Sequence, residues 1–149
     1  MQPNVRTAVV RSIRRRVDPD EYRAIRQLWI AHSIAEDAHD IPGLMATLIE
    51  ECVYTVVNSG TSWHGKLGAT QFYQQLLTAF PDIHFDLQNI VIGPQGVFEE
   101  AFVTGTYQSQ WLNMPSPNRQ RIEFAVTILF PWDARQRLFT GERIYFFMK

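Results

Sequence analysis

The chain has 149 residues and a formal net charge of −1, with 46% hydrophobic and 19% charged residues. That length suffices for one domain with a full core, and the near-neutral balance excludes the basic stripe on which nucleic-acid binders rely. No apolar run approaches the roughly 20 residues of a membrane span and the opening MQPNVRTAVV lacks the apolar stretch of a secretory leader, so the expected setting is cytoplasmic, with neither nucleic acid nor membrane as partner.

Residues 1–17 read as an N-terminal arm or an extra strand. The basic run Arg11, Arg14, Arg15 and Arg16 in it fits a solvated arm better than a phosphate-binding tail. Residues 18–149 carry no repeat and no linker and read as a single domain. Residues 17–40 predict a helix, with Asp18 or Asp20 as cap and Pro19 in the first turn. At 100° per residue, Tyr22, Ile25, Leu28, Trp29, His32, Glu36 and His39 share one face, and Ile30 and Ile34 suggest a second side partly covered. After Asp40-Ile-Pro-Gly a short second helix is expected over residues 43–50. CVYTVV reads as a strand in which Cys52, the only cysteine and so without an intrachain disulfide partner, is a small hydrophobe.

TSWHGK reads as a turn and residues 67–80 as a third helix, ended by Pro81. The rest is β. Residues 83–93 alternate, GPQG is a turn, and residues 97–111 form a long strand with a possible bulge at Gly105. Two last strands, RIEFAVTILF and RLFTGERIYFF, follow a Pro-rich loop. In the second of these, Phe139, Tyr145 and Phe147 are assigned to one side, opposite Leu138, Ile144 and Phe146. Helices on one face of an antiparallel sheet make an α+β fold. The late strands are apolar on both sides, and the charged fraction lies below the roughly 25% of ordinary domains. Both facts point to a covered outer face and a homodimer.

The order and spacing of HSIAEDAHDIPGL (32–44), CVY (52–54), Trp63 with Gly65 and Gly68, FY (72–73), AFPD (79–82), EEAFVTGT (99–106), MP (114–115) and GERIYF (141–146) resemble the SnoaL-like polyketide cyclases of the nuclear-transport-factor-2-like superfamily. The resemblance covers about residues 20–147. It implies a cystatin-like, cone-shaped barrel: three N-terminal helices packed on a curved antiparallel or mixed sheet around a pocket. It also implies no metal and no organic cofactor, and many members are dimers. In this register Thr127 falls where the cyclases carry a catalytic aspartate.

Three residues are candidates for proton transfer. His32 and Glu36 lie one turn apart on a largely apolar helix face, where burial would bring both toward neutral pH. Glu100 or Glu99 must face inward, because they are adjacent in a strand; Glu100, with Phe98 and Phe102 on its side, is the candidate. The alternative for Glu100 is a cross-strand ion pair with Arg143. Glu36-x-x-His39 copies half of a di-iron site, but no second copy exists in the chain. Trp29, Tyr54, Trp63, Phe72, Trp111, Arg143 and Tyr145 are the candidate ligand contacts. The reading is a cofactor-independent cyclase-, isomerase- or dehydratase-type enzyme acting by general acid–base chemistry on a small apolar cyclic or polyketide-like compound. The alternatives are a non-catalytic domain for a small hydrophobic ligand, or a structural dimer with a filled cone.

Overall fold

The structure is a computed structural model that describes residues 5–148. Helix α1 (Val5–Ile13) buries no residue. It is tied to the body by Arg15, which donates to the Pro94 carbonyl at 2.6 Å and to Glu21 at 2.8 Å, and by Gln95, which donates to the Ser12 carbonyl at 2.9 Å. The segment is thus helical and not a strand; its first four residues lie outside the described residues.

Helix α2 (Pro19–Asp37) starts where the Asp18 carboxylate accepts the N–H groups of Asp20 and Glu21 at 2.8 and 3.2 Å. That satisfies two of the first-turn donors left without intrahelical partners. It buries Ile25, His32 and Ala35, while Ile30 and Ile34 stay exposed, so only one side is fully covered. Helix α3 (Ile41–Met45) is shorter than expected. Leu48 already belongs to strand β1 (Leu48–Val56), and the Thr47 carbonyl takes the N–H of Phe139 at 3.0 Å. Pairing with the sheet buries Leu48 and Ile49, and such tertiary context overrides helix propensity. A strand β2 (Thr61–His64) replaces the expected turn and buries Trp63. Helix α4 (Gly65–Ala79) follows, with Phe72, Tyr73 and Leu76 buried.

Strands β3 (His84–Gly93), β4 (Gly96–Thr106), β5 (Arg121–Asp133) and β6 (Leu138–Met148) complete a six-stranded sheet of order β2-β1-β6-β5-β4-β3. The β1–β6 pair is parallel and every other pair antiparallel. The architecture is α+β, helices against an unclosed mixed sheet. No helix among the described residues is long and apolar enough to cross a membrane.

Strand register aims the side chains. The bulge expected at Gly105 is absent, since β4 and β5 stay in register from Gly96 to Thr106. A side chain at Gly105 would press on Phe80, so close packing explains that glycine. The AFPD segment is structural as well: Asp82 accepts from the N–H and hydroxyl of Thr106, both at 2.7 Å. The decisive irregularity is in β6. Leu129 pairs with Arg143 but Trp132 pairs with Phe139, so β6 spends four steps where β5 spends three. This extra residue resets the alternation. Phe139 and Glu142 both end up buried although three apart, and Ile144 follows Glu142 inward. Gly141 lies in this stretch with φ +133°, and a Cβ there would collide with the Val53 carbonyl.

Candidate functional site

The inner sheet face carries Glu99 from β4, Val126 and Ile128 from β5, and Glu142, Ile144 and Phe146 from β6. Helices α2 and α4 cover it with His32 and Glu36, and with Phe72, Tyr73 and Leu76. Between them lies a narrow cavity of about 20 Å³, room for about one water molecule. Its walls are aliphatic and aromatic except for two carboxyls, Glu36 and Glu142.

His32 stands directly behind those carboxyls, 1% exposed. Its Nδ1 is 2.9 Å from the Thr47 hydroxyl, and that hydroxyl donates its own hydrogen to the Leu44 carbonyl at 2.7 Å. The hydroxyl can therefore only accept from the ring, so Nδ1 carries the hydrogen and Nε2 is left as a lone pair. Nε2 faces Glu142 Oε2 at 3.7 Å and Glu36 Oε2 at 3.9 Å. The edges of Phe130 and Phe139 close the other sides of the ring. Tyr73 donates to Glu142 Oε2 at 2.7 Å, and Tyr54 in turn donates to the Tyr73 hydroxyl at 2.9 Å. Burial pushes both tyrosine pKa values well above 10, so both remain donors.

The cluster is short of counter-charge. Glu36 and Glu142 face one imidazole with Glu99 near both acids, and the ion pairs of the described residues bring no arginine or lysine to them. Burial raises Glu142 to about 7 against the opposing effect of the nearby Tyr54 and Tyr73 hydroxyls, of which Tyr73 donates to it directly. Burial first, and then repulsion from Glu142, raises Glu99 to about 8, although the Trp29 indole N–H donates to it. Glu36 is raised well above its ordinary value by burial, then by Glu142, Glu99 and Asp37. Burial lowers His32 to about 3. With its neighbours protonated, no negative charge remains to hold an imidazolium. Near neutral pH the cluster is thus a neutral imidazole beside carboxyls that share a small number of protons, as closely spaced acids must.

Several expected residues come together here and several do not. His32 and Glu36 are in place, with Glu36 at the cavity wall and His32 behind it. His39 leaves the shared face, because α2 ends at Asp37 and His39 takes φ +54° in an exposed turn. Glu100 is corrected: it is exposed on the outer face, accepting from the Asn89 side chain at 3.1 Å, while Glu99 is 6% exposed. Arg143 and Tyr145 also lie on the outer face, because the extra residue in β6 turns Glu142, Ile144 and Phe146 inward in their stead. Arg143 pairs in register with Leu129 and not with Glu100. Thr127 faces outward too, between buried Val126 and Ile128. Trp29, Tyr54 and Trp63 stand behind the cavity wall. Trp63 stacks on Trp111 with centroids 6.2 Å apart, and Phe72 packs edge-on against both. Of the expected contacts only Phe72 lines the inner cavity, and Trp111 lines a neighbouring hollow.

Glu142, Tyr73 and Thr47 are not marked by the sequence pattern. Glu99 is the member of the adjacent pair that the expectation sends outward and that the structure turns inward. Tyr73 follows Phe72 on α4, and its polar end is invisible in a helical apolar pattern. Among the described residues no group of three or more histidine, cysteine, aspartate or glutamate side chains is arranged to hold a metal ion.

No curated protein matches the chain in sequence. The fold is similar to that of solved structures at low identity, which speaks to fold alone. A candidate polyketide cyclase from Xanthomonas campestris pv. campestris is 20% identical with a TM-score of 0.67, over 84% of this chain and 91% of that one. AclR, a candidate hydroxylase from Streptomyces galilaeus, is 16% identical with a TM-score of 0.68, over 86% and 81%. A nuclear-transport-factor-2-like protein from Burkholderia thailandensis is 16% identical with a TM-score of 0.68, over 89% and 92%. A model of the SnoaL-like domain family matches residues 27–136, and the chain belongs to that family.

Proposed function

We propose that this protein is a cofactor-independent enzyme of the cyclase, isomerase or dehydratase type. It uses paired carboxyls as acid and base on a small apolar cyclic or polyketide-like carbonyl compound, in a cytoplasmic setting. The observation that carries this reading is the position of Glu36 and Glu142 on the wall of an otherwise apolar cavity, both facing the lone pair of one buried imidazole. Their environments hold protons into the neutral range, where an acid–base pair works best. Glu142, ionised above about pH 7, takes a proton from the carbon next to a carbonyl. Glu36, still protonated, gives its proton to the carbonyl oxygen. The C–H bond breaks, an O–H bond forms, and the enol leaves the two carboxyls with exchanged protonation. The same steps reversed at another carbon complete an isomerisation; attack of the enol on a second carbonyl completes a cyclisation. His32 and Tyr73 touch Glu142 and not the cavity, so they position it and set its charge.

The test is turnover of a panel of cyclic enones, β-diketones and aryl polyketide mimics. Glu36→Gln and Glu142→Gln should each lose activity while still unfolding in one cooperative melt. A panel converted equally by all three proteins refutes the reading. Binding without turnover in the wild type favours a non-catalytic ligand-binding domain. The narrow, mostly hydrocarbon walls of the cavity support that second reading.

The outer sheet face is the proposed dimer surface. Phe102, Ala125 and Phe147 form one cross-strand row there, Glu100, Thr127 and Tyr145 the next, and Phe98, Leu129 and Arg143 the one after. Phe98, Phe102 and Phe147 are 44%, 51% and 54% exposed, an apolar patch that a second copy would cover. Sedimentation at micromolar concentration should give a dimer, and a monomer would remove this interface.

A further inference from the structure

Beside the carboxyl cavity lies a second, open hollow of about 360 Å³. Trp111 and Met114 wall it from the segment after β4, and Asn58 walls it from the β1–β2 turn. Two side chains belong to both hollows: Phe124 of β5 and Phe146 of β6. Their rings meet nearly edge to face, with centroids 5.2 Å apart at 67°. They are the partition between the two spaces. Phe124 is 6% exposed and anchored against Phe80, whereas Phe146 is only half-buried.

The backbone behind Phe146 is held in an unusual way. The β1–β6 ladder ends at the pair Val56–Ile144, so Phe146 has no strand on that side. The Asn58 side chain substitutes for one: its Nδ2 donates to the Phe146 carbonyl at 3.1 Å, and its Oδ1 accepts the Phe146 N–H at 2.8 Å. β5 holds one edge of Phe146 through its pairing with Val126, and one side chain on a turn holds the other. A clamp of two hydrogen bonds to a turn is released more readily than a strand ladder.

We infer that Phe146 is a gate against Phe124, that the hollow at Trp111 is a vestibule where an apolar ligand first docks, and that Asn58 is the positioning residue that keeps the gate shut. The gate controls access to Glu36 and Glu142: the closed inner cavity has room for about one water, and an apolar ligand enters only when Phe146 swings out. This rests on the reading of the inner cavity as the reactive site, but its test does not depend on turnover.

The probe is N-phenyl-1-naphthylamine, a neutral fused-ring fluorophore, titrated into the full chain. A closed gate taxes affinity by the fraction of time it is open, so Phe146→Ala and the milder Phe146→Leu should bind the probe about tenfold tighter than wild type. Filling the inner end with Val126→Phe in the Phe146→Leu background should cancel the gain. Asn58→Ala should raise the association rate in stopped flow with Phe146 intact. Equal or weaker binding by both folded Phe146 variants overturns the gate. A gain that survives Val126→Phe overturns the passage to the inner cavity, and an unchanged association rate in Asn58→Ala overturns the clamp. If the gate results hold and no panel compound is converted, the gate stands and the acid–base reading falls. If Glu36→Gln abolishes turnover while probe affinity ignores Phe146, the chemistry stands and the gate falls.

Discussion

The Thr47 hydroxyl decides which nitrogen of His32 carries the hydrogen. It accepts from Nδ1 at 2.9 Å because its own hydrogen is committed to the Leu44 carbonyl at 2.7 Å. Thr47→Val keeps the volume of the side chain but removes the acceptor. A buried ring N–H without a partner costs about 1–3 kcal/mol, so the variant should melt lower by that equivalent. The ¹⁵N shifts of the imidazole should then show a mixture of tautomers, where the wild type shows Nδ1–H alone. A single unchanged tautomer in Thr47→Val would contradict the assignment.

Stability should fall as pH rises from acid to alkaline. Glu142 and Glu99 keep their protons to about 7 and about 8 in the fold, against 4.5 for the free side chain. The folded chain thus binds more protons than the unfolded one over this window. Their contribution is full below about pH 4.5 and is lost as pH passes through those values. His32 opposes them only in acid: its pKa drops from 6.5 to about 3, so its contribution fades as pH falls below 6.5. Two carboxyls outweigh one imidazole between 4.5 and 6.5, and above that nothing in the cluster counters them. Melting temperature should decline from pH 5 to pH 9. Glu99→Gln should decline less, by roughly 1.4 kcal/mol per pH unit across the window in which Glu99 would ionise. A wild-type melt that climbs between pH 6.5 and 9 would rule out protonated burial of Glu99.

If the carboxyl pair is the acid–base machinery, pH–rate data should show it. Activity should rise through about pH 7 as Glu142 ionises and drop at higher pH as Glu36 follows. Glu36→Gln should cost roughly a hundredfold or more in kcat and remove the alkaline limb. Tyr73→Phe removes the donor at 2.7 Å from Glu142 and should move the acid limb upward. An acid limb indifferent to Tyr73→Phe would separate Glu142 from the observed ionisation.

Gly141→Ala tests the bent part of β6. The new methyl meets the Val53 carbonyl in a backbone region that L residues avoid. The loss should be about 3 kcal/mol or more, seen in chemical denaturation. A variant of wild-type stability would mean that β6 has another way to carry its extra residue.

The elements were legible in the sequence because most are long and strongly patterned. The face and cap of α2, the apolar stripe of α4 and the alternation of β4 and β5 all follow from side-chain period. Short elements escaped. β2 has four residues and resembles a turn, and α1 is a helix without a buried residue, so no core pattern reports it. The site was half legible. His32 and Glu36 stand out as polar residues on an apolar helix face. Strict alternation counted from Phe139 sends Arg143 and Tyr145 inward, and only the added residue in β6 reverses this and delivers Glu142. A bulge leaves no sure mark in a strand sequence except a glycine, and Gly141 was such a mark. Gly105 carried the same mark and was only close packing.

Crowding three acids together beside one uncharged imidazole also fixes how a guest must exchange protons with the solvent. Glu36 retains 18% of its side-chain exposure, which is its remaining contact with water. A neutral apolar guest removes that contact and favours the protonated acids further, so docking near pH 7 draws hydrogen ions out of the buffer. An amine would do the opposite, expelling them as the carboxylates form around its charge. Titration calorimetry in phosphate and in Tris, which differ in heat of ionisation, reads the sign of that exchange directly, and with it the charge type of whatever the protein holds.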